Sequence, residues 1–92
     1  MNQVKIGYTV YQVVEVDCVN KFEPRKGEID YFKRQIRIDK DMTPQDKKET
    51  LIHEIIHGID EFMGIELEES QVKKLGAGLA MVLEDNRELL GT

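Results

Sequence analysis

The residues best equipped for chemistry are His53, Glu54 and His57, inside the stretch Thr50 to Gly64, TLIHEIIHGIDEFMG. On an α-helix, positions i and i+4 share a face, so both imidazoles can reach one metal ion. Glu54 follows His53 and lies about 100° around the helix. That sets its carboxylate beside the ion rather than on it, where it can take a proton from a water the metal polarises. The H-E-x-x-H spacing therefore offers two ligands and a base. The same string on an ordinary amphipathic helix would hold two histidines bonded to backbone carbonyls and a solvated glutamate. Two features count against that reading. Leu51, Ile52, Ile55, Ile56, Ile59 and Phe62 make the stretch apolar enough for burial, where ionisable groups need partners. His53 and His57 are also the only histidines in the chain.

A catalytic zinc takes three protein ligands and leaves a fourth position to water. The metzincin continuation H-E-x-x-H-x-x-G-x-x-H fails, because Asp60 and Met63 occupy its Gly and His positions. The third ligand is then a carboxylate or Cys18, and a His, His, Glu set is the remaining template. Glu66, Glu68 and Glu69 are the candidates, since a turn after Gly64 would return a second helix across the first. Periodicity favours Glu68, which falls near the middle of an apolar face formed by Val72, Leu75 and Leu79, with Glu69 at its side. Each could equally be a solvated charge at a helix N-terminus.

The elements that must position these groups are legible in outline. From Val4 to Val16 the even positions are mostly apolar, which reads as a strand with one face buried, interrupted near Gly7. Asp17 to Gly27 holds Pro24 and mixed charge and reads as a loop. Glu28 to Asp39 alternates around a polar turn at Lys33 and Arg34 and reads as a β-hairpin. Lys33, Arg34 and Arg37 form a basic cluster, either a solvated hairpin tip guarding an edge strand or a contact for an extended peptide. Thr43 and Pro44 are an N-cap and first helical residue, with Asp46 complementing the dipole. That helix should run to about Phe62, with Gly64 as its stop. A second helix should start between Glu66 and Ser70 and reach Asn86, burying Val72, Leu75, Leu79, Val82 and Leu83. Gly76 and Gly78 would weaken an exposed helix, so both are expected at a close crossing. The expected fold is α+β: a three-stranded antiparallel sheet packed on two main helices, the first carrying the histidines.

Ninety-two residues make a single domain, 1–92, close to the smallest that one core stabilises unaided. No apolar run is long enough to span a bilayer, and MNQVKIGYTV lacks a signal-peptide layout, so a cytoplasmic location is expected. Cys18 is the single cysteine, which suits a reducing compartment. The net charge of −5 divides into +2 over residues 1–40 and −7 over residues 41–92. That pattern is unlike a nucleic-acid footprint and suits a cation near the motif.

The motif His53-Glu54-Ile55-Ile56-His57, followed after a short connection by Glu69-Ser70-Gln71-Val72-Lys73-Lys74-Leu75-Gly76, resembles the small gluzincin-type metallopeptidases of the ImmA/IrrE kind and related minimal proteins of phages and integrated elements. With the hairpin before the motif helix, the resemblance covers nearly the whole chain. In that family E-x-x-A-N-x-F-A carries the third ligand in its first residue, which falls here on Glu69; Lys73 stands where the family often has Asn. The resemblance implies a minimal zincin-like core holding one Zn²⁺ by His53, His57 and Glu69, with Glu54 as general base. It implies a protein or peptide substrate, such as a regulatory protein of a mobile element. Asp60, on the face of the two histidines, would either accept a hydrogen bond from an imidazole and fix its tautomer, or face solvent or cap the helix. Tyr31 would donate to a developing oxyanion or pack at the core or rim. The alternative from another class is a metal-stabilised interaction module with a vestigial site, motivated by the chain's small size.

Overall fold

The computed structural model describes residues 2–17, 19 and 25–90, so Cys18 and Pro24 lie outside the described residues. Four strands, β1 (Gln3–Ile6), β2 (Thr9–Val16), β3 (Gly27–Asp30) and β4 (Gln35–Asp39), precede α1 (Pro44–Met63) and α2 (Glu69–Asp85). A short 3-10 helix, Arg87–Leu90, follows. The sheet is mixed, with order β1-β2-β4-β3 and a parallel β2–β4 pair at its centre. It is thus four-stranded, against the three antiparallel strands expected from the sequence.

The correction has a local cause. Gly7 takes φ 61°, so Val4 to Val16 does not run on as one strand but folds back through the two-residue turn Gly7-Tyr8. Ile6 pairs with Thr9 and Val4 with Tyr11 across that turn. Partners across a ladder share a face, so the inward positions change from even in β1 to odd in β2. Ile6 and Tyr11 are accordingly buried, while Tyr8 and Val10, on the expected inward phase, are exposed.

The hairpin of β3 and β4 forms as the alternation predicts, pairing Ile29 with Ile36 and Gly27 with Ile38. Lys33 and Arg34 are exposed at its tip, whereas Arg37 pairs with Glu28 across the strands at 3.0 Å. Ile6, Tyr11, Ile36 and Ile38 form the core, with Leu51 and Ile55 of α1 packed on it.

α1 starts where the sequence places it. Thr43 accepts a hydrogen bond from the Asp46 N–H at 3.1 Å, and Gly64 ends the helix in the left-handed conformation. α2 lies against α1 and touches no strand among the described residues. Its buried stripe is Val72, Gly76 and Ala80. Leu75, Leu79 and Val82, expected inside, are half exposed. Of the two glycines expected at the crossing, only Gly76 is there: a Cβ on it would sit 3.4 Å from the His53 Cα, while one on Gly78 would meet nothing within 4 Å among the described residues. No helix of the described residues is long and apolar enough to cross a membrane.

Candidate metal centre

His53 and His57 project from successive turns of α1, their rings 4.9 Å apart edge to face. Both Nε2 atoms point at one carboxylate, that of Glu69 in the first turn of α2. His53 Nε2 lies 2.8 Å from Glu69 Oε1, and His57 Nε2 lies 3.0 Å from Oε2. Among the described residues these three form one group able to hold a metal ion, with ligand atoms within 4.8 Å of one another. Donors around a tetrahedral zinc lie about 3.3 Å apart, given Zn–N and Zn–O bonds of about 2.0 to 2.1 Å. The separations among the three donors, from 2.8 Å up to 4.8 Å, bracket that value, and the donor types are ones that could hold a metal ion.

What brings Glu69 to this point is the way α2 enters. Gly64 ends α1, and Glu66 adopts φ 66°, reversing the chain. The Asp60 carboxylate accepts hydrogen bonds from the Glu66 N–H at 2.7 Å and the Leu67 N–H at 3.2 Å. Asp60 thus clamps the connection between the helices, and among the described residues no hydrogen bond joins it to an imidazole. Glu68 sits at the N-cap, exposed, with its N–H donating to Gln71 Oε1 at 2.9 Å. The group that faces the histidines is Glu69, and Glu68 is not part of it. Seven residues on, Gly76 lets α2 lie against the His53 backbone, which holds the two helices at the separation the carboxylate spans.

Glu54 stands beside this group and is only 6% exposed. Burial, reinforced by the negative charges of Glu69 and Glu28 and partly offset by Arg25, pushes its carboxyl up to about 7. The cover comes from β3. A side chain on Gly27 would run into Thr50 Cγ2 at 2.5 Å and approach Glu54 Oε2 at 3.4 Å, so glycine is what admits the strand so close. The Tyr31 hydroxyl donates to the His57 carbonyl at 3.0 Å, tying the hairpin to the turn of α1 that carries His57. Desolvation and nearby acidic groups, Glu61 foremost, raise its pKa to about 12, so it stays protonated.

These groups line one groove of about 880 Å³, walled by β3 on one side and by Glu69 and Lys73 of α2 on the other, with His53, Glu54 and His57 along its floor. Gly27, Thr50 and Lys73 were not singled out as site residues from the sequence. Lys73, four residues after Glu69 on the same helical face, carried a spacing signal; Gly27 and Thr50 become visible only once β3 is laid on α1. Comparisons with family models, with curated proteins and with solved structures find no match to this chain.

Proposed function

We propose that the chain is a zinc-dependent peptidase of the gluzincin kind that it resembles, acting on an extended segment of a protein substrate. The observation that carries this reading is the convergence of His53 and His57 Nε2 on the Glu69 carboxylate with the buried Glu54 alongside. A structural site closed by four protein ligands has no use for an additional buried acid; a hydrolytic site does.

A zinc ion held by the three residues would supply Lewis acidity, acidifying a water and polarising a scissile carbonyl. The remaining work falls to the chain itself. Glu54, buried beside the three residues, can accept a proton from the attacking water and return it to the leaving amine. Burial keeps that carboxylate from being levelled by bulk water. β3 is an edge strand whose residues Gly27, Glu28 and Ile29 border the groove, so a peptide can extend along it by strand addition. Tyr31 serves as a positioning residue, holding the His57 turn against the hairpin.

The test is metal content followed by cleavage. Parent protein prepared without chelator should carry about one zinc per chain, Glu69→Ala should lose it, and Glu68→Ala should keep it. On a peptide library, Glu54→Gln should retain zinc and lose roughly 100-fold or more of the cleavage rate. A parent that takes up no zinc even at excess, or a Glu54→Gln variant that cleaves like the parent, overturns the proposal.

A further inference from the structure

α2 carries two stripes of small and apolar residues, and among the described residues only one of them is buried. Val72, Gly76 and Ala80 are buried against α1. Leu75, Leu79 and Val82 lie about a quarter turn around and remain 49%, 44% and 41% exposed. Their spacing of four and three is the seam spacing by which two helices pack side by side. Gly78 borders the same stripe, where an added Cβ would meet nothing within 4 Å among the described residues, so their packing gives no reason for its small size. A neighbouring helix could approach closely over it.

The charges beside this stripe identify the neighbour. Lys74 and Asp85 flank it on one side, both exposed, and among the described residues the ion pairs at this end of the helix, Glu84 with Lys48 and Arg87, leave both out. The two residues are equidistant from the point between Leu79 and Ala80. We infer that α2 is a self-association surface, by which two copies of this chain pair with their α2 helices antiparallel about that point. Lys74 of each copy then faces Asp85 of the other, and two-fold symmetry supplies the pair twice. A parallel arrangement would set Lys74 against Lys74 and Asp85 against Asp85, which repels. Glu69 and Lys73 lie on the α1-facing side, so both grooves stay open in the dimer.

Sedimentation equilibrium of the full chain tests this. The parent should show a mass near twice 10.7 kDa. Leu79→Glu should raise the dissociation constant at least about thirtyfold. Lys74→Glu and Asp85→Lys should each weaken the dimer severalfold, and the combined charge swap should restore it. None of these residues belongs to the candidate metal group, and an unchanged far-UV circular dichroism spectrum with a cooperative melt certifies that each variant is folded whether or not the chain binds zinc. A parent that stays monomeric up to about 1 mM overturns the inference. So does a dimer indifferent to Leu79→Glu, or one whose charge-swapped double variant is as weak as the singles.

Discussion

Glu54 is held in a place that suits a proton carrier and costs the fold. Its carboxyl has a pKa of 4.5 in an unperturbed setting and about 7 in the folded chain, chiefly through burial and then through the charge of Glu69. Between those values the folded state binds more protons than the unfolded state, so stability declines as pH rises. The contribution is complete below about pH 4.5 and lost above about pH 7, a window worth on the order of 3 kcal/mol. The metal-free chain should therefore melt on the order of 10 °C lower at about pH 8 than at about pH 5. In Glu54→Gln, which keeps the shape and drops the charge, most of that dependence should vanish. Melting curves of both proteins in chelator are the check. Parallel pH profiles for the two would mean that Glu54 is not the group responsible.

At the scale of elements, the site depends on how closely α2 can cross α1. The crossing rests on Gly76, where a Cβ would sit 3.4 to 3.6 Å from His53 atoms, an ordinary contact. Gly76→Ala should thus be accepted and gain up to about 0.5–1 kcal/mol of helix stability. Gly76→Leu should force the helices apart, separate Glu69 from His53, and weaken zinc binding roughly 10- to 100-fold. Competition against a chromophoric chelator measures this, and a Gly76→Leu variant that binds zinc like the parent would show that the crossing does not set the site. This crossing also marks where reading the sequence succeeds and fails. The histidine helix was legible from Thr43, Pro44 and Gly64, because capping chemistry is local. The hairpin of β3 and β4 was legible because its alternation is unbroken. The phase of β2 was not, since a two-residue turn at Gly7 reverses inward and outward positions while the apolar pattern runs on. The face of α2 was misjudged for a related reason. The stripe against α1 is made of small residues, Gly76 and Ala80 beside Val72, and hydropathy points instead to Leu75, Leu79 and Val82. A face centred on those leucines directs attention to Glu68. A face centred on Gly76 and Val72 directs it to Glu69.

For the whole molecule, the question is what secures α2. The sheet and α1 share a core around Ile6, Tyr11, Ile36 and Ile38, but among the described residues α2 meets no strand, packs on α1 and the short 3-10 helix, and contributes Val72 as its fully buried large side chain. In a chain of this size a bound ion that joins His53 and His57 to Glu69 would be a substantial part of the attachment. At a free zinc level about 1,000 times the dissociation constant, binding to the folded state alone contributes roughly 4 kcal/mol. For a domain of this length that is well over about 10 °C in melting temperature. Calorimetry across a series of buffered zinc concentrations should trace that rise. Amide exchange should localise it, with α2 exchanging fast in chelator and slowing on zinc addition, while β2 and β4 change little. A melting temperature independent of zinc would remove the ion from any part in holding the helices together. Zinc stabilisation by itself is common to an enzyme and to a metal-stapled interaction module, so the deciding comparison joins it to Glu54. Stabilisation with cleavage that Glu54→Gln abolishes makes the ion a catalyst that also secures the fold. Stabilisation with no cleavage by parent or variant makes it a staple only, and leaves the buried carboxyl as the remnant of a lost activity.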